Sequence, residues 1–325
     1  MINVLLLKGG GSSEHEIALR SAQYIESQID KSQYRVYSVE IDKSFNWIYE
    51  GRECELNFQK ELVTGTNKVL MDIGIPCLHG YPGETGDIQS YFELIGLPYL
   101  GCNPETSTLC FNKLMTKLAL ENAGVKTTPF LHVSEHEKID RAQSFFNEHG
   151  CVFIKATNQG SSVGCYRVDN KNDLEKYIKK AFEFSPFVIL EKEIKAREIE
   201  VSAFEYDGKV HITLPGEIVC PGKFYSYEEK YSDKSETKTH VIAPEVSTEI
   251  FTEVERQARI AFELFKLRHL SRIDFFLTET NEVIINEINT FPGHTTISMF
   301  PMMMENYGVK YSDFLNQHLN NLSKK

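Results

Sequence analysis

Two segments in the last quarter of the chain, RIDFFL and VIINEIN, carry the residues best suited to chemistry: Arg272, Asp274, Glu287 and Asn289. They flank the polar stretch TETNE, which predicts an antiparallel hairpin. A symmetric turn over Glu279–Glu282 would set Asp274 opposite Glu287 and Arg272 opposite Asn289, all on one face. Like charges directly opposite are destabilising, so the arrangement wants a cation between them. Two carboxylates and an amide oxygen, without Cys or His, suit a hard ion such as Mg²⁺ that keeps water and phosphate oxygens as its other ligands. The same pattern also fits a solvated strand face.

Five further segments bear on chemistry. KATNQGSSVGC lies between two strand-like runs, so it is not a Walker loop, which leads from strand to helix. A hairpin flap with Gly160, Ser161, Ser162 and Gly164 can still lay backbone N–H groups and hydroxyls on phosphates, with Lys155 adding a point charge. In GGGSSEHE, Glu16 suits the positive end of a helix whatever the function. Glu14 stands at the carboxyl end of the first strand, where open α/β sheets place ligands, and an acid there suits an ammonium group. HGYPGETG holds His79, which also reads as a packed or capping histidine. NTFPGHTTIS holds Gly293, whose backbone N–H would lie near the metal candidates. The charged run FYSYEEKYSDKSETKTH reads as an exposed mobile loop and contains Lys230 and Tyr231. No HExxH and no GxSxG occurs.

The elements that must position these groups fall into three consecutive parts. INVLLL is a continuous apolar strand, and Ile17, Ser21, Ile25 and Ile29 recur every four residues on the helix after it. Ser13 and Glu16 have the spacing of a capping box. YRVYSVEI and DIGIPCLHG read as strands and DIQSYFELIG as a helix closed by Gly96, so strand–helix alternation predicts a doubly wound α/β domain over 1–102. A single helix over TLCFNKLMTKLALENAG opens the second part, followed by the strands CVFIKA, GCYRV and PFVILEKEI around a helix at NDLEKYIKKAFEF. The third part, 194–325, opens with a D-G hairpin in REIEVSAFEYDGKVHITL and closes in a polar tail.

Composition narrows the partners. The 325 residues include 46 acidic and 35 basic ones, a net charge of −11 without a dense Lys/Arg cluster, which argues against nucleic acid and anionic membrane. No apolar run approaches the roughly 20 residues of a spanning helix. The opening MINVLLLKGG reads as a buried strand, not a signal peptide. Seven cysteines, odd in number and never spaced CxxC, read as reduced thiols of a soluble cytoplasmic protein.

Taken in order, GGGSSEHE, LHGYPGETGDIQ, GLPYLGC followed by NK, KATNQGSSVG, EKEIKAREIEVS, FYSYEEKY, LSRIDFF and NEINTFPGHTTIS resemble the D-alanine–D-alanine ligase family of the ATP-grasp superfamily. The resemblance spans nearly the whole chain. It implies an α+β fold in which a doubly wound domain is followed by two α+β domains, 103–193 and 194–325, that clamp ATP. It implies ATP-dependent joining of two D-alanines through an acyl phosphate, for peptidoglycan precursor synthesis, in a cytoplasmic homodimer.

Residue by residue, the resemblance assigns Lys113 and Lys155 to ATP phosphates, Ser161 and Ser162 to the flap that closes over them, and Lys230 to the cofactor-binding set. Glu191, Lys192 and Ile194 would meet adenine, Glu198 the ribose, and Asn286 the nucleotide. Asp274, Glu287 and Asn289 would hold two Mg²⁺ ions, with Mn²⁺ as a substitute. Glu14 would anchor the ammonium of the first D-alanine with His79 near its carboxylate, and Arg272 and the Gly293 N–H would stabilise the oxyanion. Ser161 and Tyr231 would join Glu14 in a hydrogen-bonded set, and Ser298, Met299 and Lys230 would serve the second D-alanine. The chain departs from the commoner family pattern at Ala18, Thr85, Ala156, Gln159 and Met299. Tyr231 favours the dipeptide over a D-alanine–D-lactate ester.

Overall fold

The structure, a computed structural model, describes residues 1–136, 138–219 and 237–324. INVLLL lies in β1 (Ile2–Gly9), which is followed by α1 (His15–Gln28) and β2 (Tyr34–Ile41). β3 (Trp47–Tyr49) and β4 (Arg52–Glu53) extend that sheet antiparallel. β5 (Glu55–Leu56), β6 (Glu61–Thr64) and β7 (Asn67–Leu70) form a small sheet of their own, and β8 (Ile73–Pro76) returns to pair in parallel with β1. Parallel pairs on both sides make β1 central. Val4 and Leu6 pack with Ala22 and Ile25 of α1, while Leu5 and Leu7 pack with residues of α2 (Asp87–Ile95). Burial on both faces is why the segment is continuously apolar instead of alternating.

Helix entry at α1 differs from the expected capping box. The N-cap is Glu14, which makes no side-chain capping bond, and its N–H donates to Ser12 Oγ at 3.2 Å. The single helix expected from Thr108 to Gly124 is likewise two, α3 (Pro104–Phe111) and α4 (Lys113–Asn122). Asn112 breaks them at φ −85°, ψ 99°, and its side chain accepts the N–H groups of Leu114 and Met115. A side chain that caps a new helix competes with continuation of the old one. The restart places Lys113 at the head of α4, where its backbone N–H meets Thr157 O at 3.2 Å.

The second part is a four-stranded antiparallel sheet. β9 (Phe130–Val133), β10 (Val152–Ala156), β11 (Cys165–Val168) and β12 (Val188–Lys192) are ordered β11-β10-β12-β9, with α5 (Asp140–His149) and α6 (Leu174–Phe182) packed against them. The third part is built on β13 (Ala196–Tyr206), whose Asp207-Gly208 turn into β14 (Lys209–Ile212) has positive φ at both residues, as a tight hairpin requires. β15 (Gly216–Val219) and β16 (Lys238–His240) follow, with α7 (Thr248–Leu264) and the expected hairpin of β17 (Leu270–Thr278) and β18 (Val283–Asn289).

After these come α8 (Met299–Tyr307) and α9 (Tyr311–Leu322). The C-terminal segment expected as a polar tail is thus an amphipathic helix. Tyr311, Phe314, Leu315, Leu319 and Leu322 bury one face of α9 in the same core as Val4 and Leu6, so the end of the chain closes the first sheet. Among the described residues no helix is long and apolar enough to cross a membrane.

Candidate functional site

In the β17–β18 hairpin Arg272 pairs with Asn289 and Asp274 with Glu287, the expected register. The route to it differs. Leu277 pairs with Val283, so the connection runs Thr278–Glu282 and is not the symmetric turn over Glu279–Glu282. Between Asp274 and Phe275 the register shifts, leaving Asn286 as the extra residue of a β-bulge that restores the pairing. Arg272 lies along Asp274, with Nε to Oδ1 and Nη2 to Oδ2 both at 2.7 Å, and its Nε is 3.2 Å from Glu200 Oε2. Asn289 Nδ2 donates to Asp274 Oδ2 at 3.0 Å. Lys113 Nζ is 3.2 Å from Glu287 Oε2 and donates to the Gln159 carbonyl at 2.9 Å, tying α4 to both the hairpin and the flap. Burial alone would lower the Arg272 pKa, but Asp274 and Glu200 hold it well above its ordinary value.

On the central sheet, Lys155 Nζ contacts Glu191 Oε2 at 2.7 Å and Lys117 Nζ lies 3.0 Å from Glu191 Oε1. Burial pushes the Glu191 carboxyl upward, but the two lysines prevail and hold it at about 2. The β10–β11 connection is the Gly/Ser flap, and Ser161 and Ser162 adopt positive φ of 48° and 61°. Gly160 rests on Glu14, since a Cβ there would sit 2.9 Å from Glu14 Oε2. Lys192 and Ile194 are half-buried at the end of β12, and Glu198 is exposed on β13 beside Ile218 and Phe276.

The first-strand end is denser. His79 Nδ1 lies 3.2 Å from the Phe291 carbonyl and Nε2 lies 3.0 Å from Ser21 Oγ. Burial lowers the His79 pKa despite the nearby Glu14. A carbonyl only accepts, so the neutral ring carries its proton on Nδ1 and receives the Ser21 hydroxyl at Nε2. Ser21 Oγ accepts the His294 N–H at 3.2 Å in turn. Glu84 Oε2 accepts the Gly80 N–H at 2.8 Å, and burial, then Glu14 and Glu287, push its carboxyl up to about 8. Gly293 leaves no room for a side chain beside Ser298, whose Oγ would be 2.9 Å from a Cβ there. Met299 is buried with Ile218 and Met303. Lys230 and Tyr231 lie outside the described residues.

Sequence reasoning passed over Lys117, Glu84, Glu200 and Ser21. Lys117 follows Lys113 by one helical turn, and Glu84 closes the HGYPGE run, so both had a signal. Glu200 faces Asp274 across β13 and β17, a pairing invisible until the third strand is placed.

A flap-bearing sheet with its lysines is linked through Lys113 to a hairpin of opposed carboxylates, and an acid at the end of a parallel strand lies beneath the flap. This combination defines an α+β enzyme of the ATP-grasp class. Residues 3–102 match the family model for the D-ala D-ala ligase N-terminus, and residues 119–320 the model for the D-ala D-ala ligase C-terminus. The chain belongs to the D-alanine–D-alanine ligase family. It is 50% identical to a D-alanine–D-alanine ligase of Shewanella sp. (strain W3-18-1), over 98% of this chain and 97% of that protein. D-alanyl-alanine synthetase A from Vibrio cholerae superposes with a TM-score of 0.95 at 44% identity, covering 100% of this chain and 99% of that one. VanG D-Ala:D-Ser ligase from Enterococcus faecalis superposes at 0.89 with 26% identity, covering 99% of each chain.

Proposed function

We propose that the protein is an ATP-dependent ligase that joins two D-alanines into D-alanyl-D-alanine for peptidoglycan precursor synthesis. The contact between Gly160 and Glu14 carries this reading. It seats the flap directly on the acid suited to an amino-acid ammonium, which in this reading brings phosphoryl donor and acceptor together. The parts 1–102, 103–193 and 194–325 are its working units in this reading. ATP lies between the second and third, and the first D-alanine lies against the first.

Lys113 and Lys155 hold the phosphates, Ser161 and Ser162 close over them, and Lys230 belongs to the cofactor-binding set. The backbone of Glu191, Lys192 and Ile194 lines adenine, Glu198 takes the ribose, and Asn286, on its bulge, takes the nucleotide. Asp274, Glu287 and Asn289 supply only oxygen donors, the chemistry of a hard divalent ion, and would hold two magnesium ions, or manganese. The metal, when bound, neutralises phosphate charge.

Phosphorylation of the first D-alanine's carboxylate turns a poor leaving oxygen into phosphate, and the neutral amine of the second attacks that carbonyl. Glu14 holds the first ammonium. His79 stands near the carboxylate of the first D-alanine, its ring engaged by the Phe291 carbonyl and the Ser21 hydroxyl. Arg272 and the Gly293 N–H face the developing oxyanion. Ser161 and Tyr231 tie flap and loop to Glu14 and keep water from the acyl phosphate. Ser298, Met299 and Lys230 border the second D-alanine.

The six described cysteines are free thiols, which suits a cytoplasmic enzyme. A homodimer is part of the proposal, tested by light scattering.

The deciding experiment is product analysis with ATP, Mg²⁺ and D-alanine, with D-serine and D-lactate competing as second substrates. D-alanyl-D-alanine should dominate. Absence of D-amino-acid-stimulated phosphate release at millimolar substrate would overturn the reading. A second reading, ligation to D-serine, is favoured by the likeness to the VanG ligase, and a dominant D-alanyl-D-serine product would select it.

A further inference from the structure

Lys117 lies outside every motif discussed above, yet its side chain is 1% exposed beside a carboxylate, where burial lowers its pKa against the pull of Glu191. It follows Lys113 by one turn of α4, and the two lysines diverge. Lys113 reaches the hairpin and the flap, whereas Lys117 turns inward to Glu191 Oε1 at 3.0 Å, its Nζ 5.8 Å from the centre of the Phe130 ring. The other oxygen of Glu191 holds Lys155 at 2.7 Å. On the sheet Glu191 pairs with Phe153, so Lys155 is its diagonal neighbour on the same face. One buried carboxylate thus serves two ammonium groups, and the cluster carries an excess positive charge. Lys117 is closed off behind Glu191, while Lys155 is 14% exposed and also feels the charge of Glu287 on the hairpin side.

We propose that Lys117 is a positioning residue: it is the standing counter-ion of Glu191 and thereby leaves Lys155 free to commit its charge to a nucleotide phosphate. The proposal rests on the ATP reading above. A lone Lys155–Glu191 pair would be electrically closed, and moving Lys155 toward phosphate would strand a buried carboxylate. With Lys117 in place Glu191 keeps a partner whichever way Lys155 turns. The excess charge of the cluster is then what the site offers to an anion. An apolar residue filling the same core position would pack equally well and supply none of this.

The test compares ADP with adenosine, whose affinities differ by the phosphate contribution alone, using calorimetry on the full chain. Lys117→Met should weaken ADP by about 10- to 100-fold, the range of one charge-assisted contact, and leave adenosine nearly unchanged. Lys117→Met/Glu191→Gln should recover the wild-type ADP-to-adenosine ratio, because the charge that captured Lys155 has gone. If Lys117→Met does not fold, Glu191→Gln alone decides: its ADP-to-adenosine ratio should equal or exceed the wild type, and a lower ratio overturns the proposal. Equal losses for both ligands in Lys117→Met, or failure of the double variant to recover the ratio, also overturn it and leave Lys117 a packing residue. A wild-type chain that binds neither ligand overturns the ATP reading itself, and the proposal with it.

Discussion

Asp274 and Glu287 face each other across β17 and β18, yet each has its own cation: Arg272 lies bidentate on Asp274 and Lys113 lies 3.2 Å from Glu287. The repulsion that the pairing would cause is thereby neutralised from two different elements. Arg272 comes from the strand itself, and Lys113 comes from α4 some 170 residues earlier in the chain. A divalent ion entering here competes with these two cations for the same oxygens.

Glu287→Gln removes one of the opposed charges at nearly constant volume. Turnover should fall by about 10²-fold or more, comparable to losing a group that stabilises transition-state charge. The fold should persist, because Glu287 is half-buried and its partner Lys113 keeps the Gln159 carbonyl. Steady-state phosphate release over a magnesium titration, with a melting curve as control, checks both halves. Wild-type turnover in the variant would refute the metal assignment.

Arg272 separates charge from geometry. Arg272→Lys keeps a cation but cannot span both oxygens of Asp274 while reaching Glu200, so the rate should drop by about 10²–10³ with a modest change in melting temperature. Arg272→Met takes the shared cation from Asp274 and Glu200 and should also destabilise the fold, by about 3 kcal/mol. Melting curves of the two variants side by side are the readout, and equal stability would mean that Arg272 does not hold these acids.

Gly160→Ala tests the seat of the flap. A methyl group there would meet Glu14 Oε2 at 2.9 Å and displace the carboxylate. The KM for the first D-alanine should rise severalfold while the KM for ATP stays close to wild type. A rise confined to ATP would place Gly160 in nucleotide binding alone.

Glu84 supplies a pH dependence. Its carboxyl is raised from 4.5 to about 8, chiefly by burial and then by Glu14 and Glu287. Between those values the folded protein binds a proton that the unfolded chain has released. Stability contributed by the protonated group is therefore full below about pH 4.5 and lost as the pH rises through about 8. Glu84→Gln cannot ionise and should flatten the fall in melting temperature between pH 5.5 and 8.5 by a few degrees, at roughly 2–4 °C per kcal/mol. Parallel profiles for variant and wild type would remove Glu84 as the source.

The sequence alone determined what local pattern can encode. The apolar run of β1, the Asp207-Gly208 turn and the pairing of Asp274 with Glu287 were all legible, because strand alternation and turn chemistry act over a few residues. Even there the correct register came from two compensating irregularities, a displaced turn and the Asn286 bulge, which cost one residue each and cancel. Local pattern was less informative where a polar residue had two uses. Asn112 reads as an ordinary helix interior position until its side chain caps α4, and the polar letters of α9 mask an apolar stripe that only the first sheet makes necessary.

Tertiary structure decided everything that needed two distant elements. Lys117 with Glu191, Arg272 with Glu200, His79 with Ser21 and the Phe291 carbonyl, and Gly160 on Glu14 are each contacts between segments far apart in the chain. Side-chain type shows that such groups can pair. Which pairs form depends on burial, where an unpartnered charge is too costly to leave and the nearest opposite charge is set by how the sheets and helices pack.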